Sequence, residues 1–328
     1  MIHYLHTNFR ESYVKNSNHK RIPYYQKETF LMTYQEFKNN IIHTVSAKLG
    51  PSYRVALQDI IKNNDTHLDG LTILSENSNI SPTIYLNYYY DQYRNGKSLS
   101  CIQEDIMLSY QKNVPAKNID ISFFTEFTKL KDRIIFKLIN YERNKELLSK
   151  VPHIRYLDLA IVFNCFVESL TDGYATILIH HHHLSYWNIS CEELYALAKR
   201  NTPKLLPYHF QNMSDVLDEL FATEPVDWLC DDFSPIPMYV LTNTRKLHGS
   251  GCILYEDLLV LISQKINKDF YIIPSSIHEV LLIPAENATS YDELSSMVRE
   301  INSTQVSREE ILSDHVYFYS RHTHKITM

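Results

Sequence analysis

Glycine is scarce in this chain. Six glycines in 328 residues leave too little material for a glycine-rich phosphate loop, and Gly249-Ser250-Gly251 matches no nucleotide-binding fingerprint. Cysteine is sparse as well. Cys101, Cys165, Cys191, Cys230 and Cys252 are odd in number, scattered and without a C-x-x-C pair. That pattern argues against a disulfide framework and a cysteine-based zinc site, and fits reduced thiols in a cytoplasm. Long apolar runs are missing too. Segments such as Leu157–Phe163 fall far short of the ~20 residues that a membrane-spanning helix needs, and no apolar signal-peptide core lies near the N-terminus. Basic charge is in deficit: the net charge is −6, the wrong sign for a protein that works by neutralising phosphates. Neither a nucleic-acid partner nor a membrane is therefore expected.

What is present is a globular composition, 44% hydrophobic and 21% charged, in a length that suits one large or two ordinary domains. Residues 1–31 differ from the rest. They are rich in Asn, His, Tyr and Lys, carry five Lys/Arg against two Glu, and show no periodicity. They read as a disordered leader or a mis-assigned start, with Met32 as the natural initiator. Lys27-Glu28 can be encoded as a ribosome-binding sequence, and Thr29–Leu31 would supply its spacer. Without these residues the net charge becomes −9.

The remaining pattern predicts an α+β fold, with mixed or antiparallel sheets covered by helices. Thr33 and Glu36 form a capping box before Phe37, Ile41, Ile42, Val45 and Leu49, which recur at helical spacing until Gly50-Pro51. Strands follow over Tyr53–Ile61 and Leu68–Leu74, joined through Asn63-Asn64-Asp65. Pro115 and its polar neighbours mark a boundary, giving an N-terminal region, 32–120, and a C-terminal domain, 121–328. In the latter, Arg155–Val167 and Tyr174–Trp187 read as long strands about the turn Thr171-Asp172-Gly173. Gly251–Tyr255 reads as a further strand. Helices are expected over 190–200, 213–221, 256–266 and 290–301, and another is capped by Ser307 and Glu310.

Phe270–Pro284 organises the C-terminal domain. Phe270–Ile273 and Val280–Ile283 are short, almost continuously apolar runs around Pro274, Ser275 and Ser276, the pattern of a hairpin covered on both faces. Residues 133–202 and 238–304 also share an order of parts, β-α-β-β-α, which raises a duplication into two similar lobes.

Several stretches mark a family resemblance: Ser-Pro-Thr-Ile-Tyr-Leu (81–86), Lys-Leu-Ile-Asn (137–140), Val-Pro-His (151–153), Asn-Thr-Pro (201–203), Val-Leu-Thr-Asn (240–243), Pro-Ser-Ser-Ile-His-Glu-Val (274–280) and Leu-Ser-Asp-His-Val-Tyr (312–317). With them the chain resembles an uncharacterised domain family of anaerobic Gram-positive bacteria. Its C-terminal motifs are similar to a second uncharacterised Gram-positive cytoplasmic family. The resemblance runs from Met32 to Tyr319 and implies no activity.

Three sets of residues carry candidate chemistry. The polar residues beside the hairpin turn, Ser275, Ser276, His278 and Glu279, with Asn243, either close the turn through backbone bonds or form a binding rim. Tyr85, Tyr89 and Tyr93 share a helical face that either packs or presents aromatic rings to a ligand. On a strand, His181 and His183 would point the same way. They could then hold a divalent metal with His209 or Glu192 as a further ligand. Ser275, His278 and Glu279 include the residue types of a hydrolytic triad, but close neighbours on one tight turn rarely point at one another as a triad requires. The reading that emerges is a non-catalytic cytoplasmic protein that binds a protein or small-molecule ligand without a cofactor. A metal-assisted hydrolase built on His180–His183 is the alternative.

Overall fold

The computed structural model describes residues 31–76, 78, 81–114, 124, 126–168, 174–221, 237–274, 276–288 and 290–328. They form two compact units, one of residues 31–62 and 66–114, the other of 63–65 and 124 onward.

In the first unit Thr33 caps α1 (Tyr34–Leu49). Its hydroxyl accepts from the Glu36 amide, and the Glu36 carboxylate accepts from the Thr33 amide, satisfying two otherwise orphaned donors. Phe37, Ile41 and Val45 on one face of the helix are fully buried. β1 (Tyr53–Lys62) and β2 (Thr66–Ser75) pair antiparallel, and β3 (Thr83–Tyr85) adds to β2. α2 (Leu86–Arg94) and α3 (Leu99–Asn113) close this core with Leu86, Ile102 and Ile106.

The second unit runs from α4 (Phe127–Leu130) into β4 (Ile134–Asn140), α5 (Lys145–Leu148), β5 (His153–Tyr156), β6 (Leu159–Glu168) and β7 (Tyr174–Leu178). It continues through α6 (His181–Trp187), α7 (Cys191–Leu205), β8 (Tyr208–Asn212), α8 (Met213–Phe221) and β9 (Tyr239–Asn243). The last elements are α9 (Leu258–Ile266), β10 (Phe270–Ile273), β11 (Val280–Pro284), α10 (Tyr291–Thr304), β12 (Tyr317–Ser320) and β13 (Lys325–Thr327). One sheet has β6 between β4 on one side and both β5 and β7 on the other. The larger sheet has the order β13-β12-β10-β11-β9-β8. The fold is α+β, and every strand pair among the described residues is antiparallel.

The two sheets share a core. Phe136 and Phe163 from the smaller sheet cluster with Leu241, Phe270, Ile272, Val280, Leu282 and Tyr317 from the larger one. α9 joins this core through Leu258, Leu259 and Ile262. On the opposite face of the larger sheet, Ile273, Leu281 and Ile283 pack with Leu294 and Val298 of α10. Both faces of the β10–β11 hairpin are therefore covered, which is why its strands lack the usual alternation.

Four readings from the sequence change. Arg155–Val167 is not one strand, because the chain reverses at Leu157-Asp158, where Leu157 adopts φ +56°. Tyr174–Trp187 is a strand only to Leu178; His181 begins a helix because the His183 ring caps it, accepting the His180 amide at 2.9 Å. Gly249–Leu254 is a 3-10 turn rather than a strand, held down by Ser250 Oγ donating to the Ile277 carbonyl at 2.9 Å. No helix follows Ser307: the segment turns and Ile311 makes an isolated bridge to Ser276. β8 and β13 extend the larger sheet at its two edges and had no clear sequence signal. The leader through Phe30, the Thr171–Gly173 turn and the stretch around Pro115 lie outside the described residues.

The 3-10 turn packs tightly. A Cβ at Gly249 would clash with Thr242 Oγ1 and the His278 carbonyl oxygen. Those atoms are already joined, Thr242 Oγ1 donating to His278 O at 2.7 Å, so neither can retreat without breaking that bond. Gly249→Ala is expected to destabilise the protein by about 1–3 kcal/mol, the usual cost of overpacking. The check is the urea midpoint of Gly249→Ala relative to wild type.

Candidate functional site

A recess of about 400 Å³ opens among β5, the 3-10 turn, α9 and the β12–β13 corner. Tyr156, Tyr255 and Tyr319 line it, with Ile253, Leu259, Val260 and Ile326. Asp257, His324 and Lys325 complete the lining. Local sequence places each wall. Tyr156 ends β5 just before the chain reverses. Tyr255 follows the 3-10 turn and donates its hydroxyl to the Leu206 carbonyl at 2.7 Å. Tyr319 lies on β12, stacks on Phe270 at 4.9 Å and meets His324 Nδ1 at 3.4 Å.

Burial raises the pKa of all three phenols. Tyr156 is pushed up to about 12, with Tyr195 adding to the effect. Tyr255 goes up through burial and the nearby Cys252. Tyr319 goes up through burial, opposed by a hydrogen bond to Ser263 and reinforced by Asp257. The rings therefore stay neutral at physiological pH and are not bases; Tyr255 and Tyr319 are buried, and the Tyr255 hydroxyl is already bonded to the Leu206 carbonyl. Asp257 and His324 both sit at positive φ, 56° and 55°, a conformation that costs L residues energy and that concentrates at functional positions. Among its lining residues there is no serine, threonine or cysteine to act as a nucleophile.

A polar hub lies on the same strands. Asp158, in the β5–β6 turn, accepts from Tyr317 Oη at 2.5 Å, from Ser313 Oγ at 2.6 Å, and pairs with His315 Nδ1 at 3.0 Å. Its backbone carbonyl accepts from Tyr141 N. Arg143 pairs with Asp314, and Asn302 Nδ2 donates to the Ser313 carbonyl and Asp314 Oδ1 at 2.8 Å each. The Ser-Asp-His run is not a triad. Serine and histidine meet the same carboxylate oxygen, whereas a triad places the base between nucleophile and acid, and Ser313 is fully buried.

The Leu-Ser-Asp-His-Val-Tyr motif behind this hub is one part of a longer match, which runs over residues 34–321 to a single family model, a family of unknown function. The chain belongs to that family, DUF5688. No curated protein matches the chain, and no solved structure does.

In this DUF5688 chain the residues singled out from sequence are dispersed. Ser275 lies outside the described residues. Ser276 is 2% exposed, and its hydroxyl accepts the His278 amide at 3.0 Å. Glu279 is buried as well. His278 is half-buried, with Nδ1 3.3 Å from the Lys246 carbonyl and its ring stacked on His248. Asn243 is buried and closes its own turn, accepting from Arg245 N and Leu247 N and donating to Leu247 O. The Ser276 and Asn243 side chains close their own turns, and His278 reaches the Lys246 carbonyl across from them.

In the first unit Tyr85 ends β3, and Tyr89 and Tyr93 lie on α2, packed against that unit's core. The Tyr93 hydroxyl accepts the Met32 amide at 3.3 Å.

The His run lies on α6, where strand alternation does not apply. His181 and His182 are exposed, while His183 packs against Phe124 at 4.9 Å and Trp187 at 5.3 Å. His209 sits on β8, and Glu192 is exposed in the first turn of α7. Among the described residues no group of three or more His, Cys, Asp or Glu side chains is placed to hold a metal ion.

Three histidine rings, His180, His183 and His248, titrate low. Burial first, then His182 and His180, lowers His183 to about 4. Burial likewise lowers His180, and burial with Lys137 and His278 nearby holds His248 well below its ordinary value. A histidine whose folded pKa lies below its unfolded value binds fewer protons when folded. Its contribution to stability is complete above about pH 6.5, the unfolded value, and is lost as pH falls towards about 4. The urea midpoint is expected to drop between about pH 7 and about pH 5, and to drop less in His183→Gln. An equal drop in both would contradict this.

The recess residues Tyr156, Tyr255 and Tyr319, and the hub residue Asp158, carried no sequence signal as a group. The available hints, both for the hub, were Tyr317 in the 312–317 motif and the Asp that stands before the apolar run Leu159–Phe163.

Proposed function

We propose that this protein is a non-catalytic binding protein whose ligand is a small, largely apolar or aromatic molecule held in the tyrosine-walled recess. The observation that carries the proposal is a recess of about 400 Å³ lined by three neutral phenols and four aliphatic side chains, with Asp257, His324 and Lys325 also in its lining. That arrangement matches the general design of ligand sites, apolar walls with a few convergent polar groups. Asp257, His324 and Lys325 would orient a polar end of the ligand, and the phenols would stack against its body. No helix of the described residues is long and apolar enough to cross a membrane, and a bacterial, cytoplasmic setting is part of the same proposal. So is a division of the chain near residue 120.

The duplication belongs here too. Support comes from strand order: β4-β6-β5 in one lobe and β9-β11-β10 in the other have the same connectivity.

Val260 lines the recess from α9. Val260→Trp is expected to fill it. In a thermal-shift screen of small aromatic compounds, wild-type binders should lose roughly tenfold or more in affinity for the variant while its own melting temperature stays close to wild type. Binders that keep their affinity for Val260→Trp would refute the site.

A further inference from the structure

A second recess, of about 440 Å³, lies where the 3-10 turn Lys131–Arg133 meets the last turn of α7. Lys131, Asp132, Arg200, Asn201 and Lys204 line it. Three cations face one carboxylate, in a chain whose net charge is −6. The carboxylate is already matched, since Arg200 Nη2 reaches Asp132 Oδ1 at 3.3 Å. Lys131 and Lys204 have no ion-pair partner among the described residues.

The two walls are pinned to each other. Asn201, 5% exposed, donates Nδ2 to the Lys131 carbonyl at 2.8 Å and to the Ile134 carbonyl at 3.2 Å. The next residue, Thr202, accepts the Phe136 amide at 3.1 Å and donates to Ala198 O at 2.6 Å. Asn201 and Thr202 are buried polar side chains spent on holding α7 against the start of β4. That bonding fixes the positions of the two backbones that carry the lysines. A lysine in the last turn of a helix is ordinarily explained by the helix dipole, worth about 0.3–1 kcal/mol. That accounts for Lys204. Lys131 caps the C-terminus of α4 in the opposite wall, so two helix ends bring their lysines to one recess.

We propose that this recess binds a small soluble phosphate-bearing anion, with the Lys131 and Lys204 ammoniums as its main contacts and Arg200 able to turn from Asp132 towards it. Ammonium groups recognise phosphate as point charges, and the guanidinium fork adds paired hydrogen bonds. Different residues line the tyrosine recess, so either proposal can fail alone.

The test is calorimetric titration of the full chain with inorganic phosphate and with pyrophosphate. The expected result is saturable binding at about 1 mM or tighter, weaker at higher salt, and weakened roughly tenfold or more in the Lys131→Gln/Lys204→Gln double variant. The melting temperature without ligand should be unchanged. Lys268→Gln, which removes a partner of Glu286 elsewhere, should bind like wild type. No saturable binding by wild type, or equal affinity in the double variant, would overturn the proposal. Sedimentation with anionic phospholipid vesicles separates the two sources of phosphate. Binding to vesicles that free phosphate fails to displace would overturn the assignment to a soluble ligand.

Discussion

Leu282→Ala is expected to cost about 2–5 kcal/mol, the range for a cavity in a packed core. Leu282 is fully buried at the centre of β11, opposite Ile272 of β10 and Tyr239 of β9. It points into the core that both sheets share, with Phe136, Phe270 and Tyr317. Antiparallel neighbours on two sides keep the backbone from collapsing into the space. Loss on that scale is a large part of the ~5–15 kcal/mol that holds an ordinary domain. Urea denaturation measures it directly. A value within about 0.5 kcal/mol of wild type would mean a surface position, and the assignment of the core would be wrong.

Asp158→Ala should be as severe, for a different reason. Its carboxylate is the acceptor for Ser313 Oγ and Tyr317 Oη, and both residues are fully buried. Removing the acceptor strands two hydroxyls away from water, at about 1–3 kcal/mol each, so about 2–6 kcal/mol is expected in total. Tyr317 is the sharper probe, because burial and the nearby Asp158 raise its pKa and keep the phenol a donor. The double variant with Tyr317→Phe removes donor and acceptor together, and Asp158→Ala should cost distinctly less in that background. If the cost is the same in both backgrounds, the hydroxyl–carboxylate bond is not what Asp158 supplies.

The parts of the fold that were legible in the sequence are those set by near neighbours. Ser190 with Glu193 and Ser290 with Glu293 cap their helices reciprocally, a pattern visible within four residues. The two apolar runs of the β10–β11 hairpin were legible because burial on both faces leaves a continuous hydrophobic mark. The His run was misread because its helix is started by a histidine ring accepting a backbone amide, and hydrophobic periodicity carries no trace of such a cap. The reversal at Leu157-Asp158 was missed because it has neither glycine nor proline, and Leu157 is held at positive φ. Asp158 was invisible for a related reason. Its partners lie 155 to 159 residues away, and nothing local distinguishes it from a surface aspartate. The tyrosine recess is the same case: Tyr156, Tyr255 and Tyr319 come from three separate stretches, whereas the conspicuous cluster from Tyr85 to Tyr93 drew attention by adjacency alone.

That contrast between two sets of tyrosines provides the most direct test of the binding proposal. With isotope-labelled tyrosine, ring signals can be followed by NMR while the protein is titrated with the small aromatic compound that raises its melting temperature most. The account predicts shifts at Tyr156, Tyr255 and Tyr319 that saturate together, with Tyr89 and Tyr93 unmoved. Shifts confined to Tyr89 and Tyr93, with the three recess tyrosines unchanged at saturation, would contradict it.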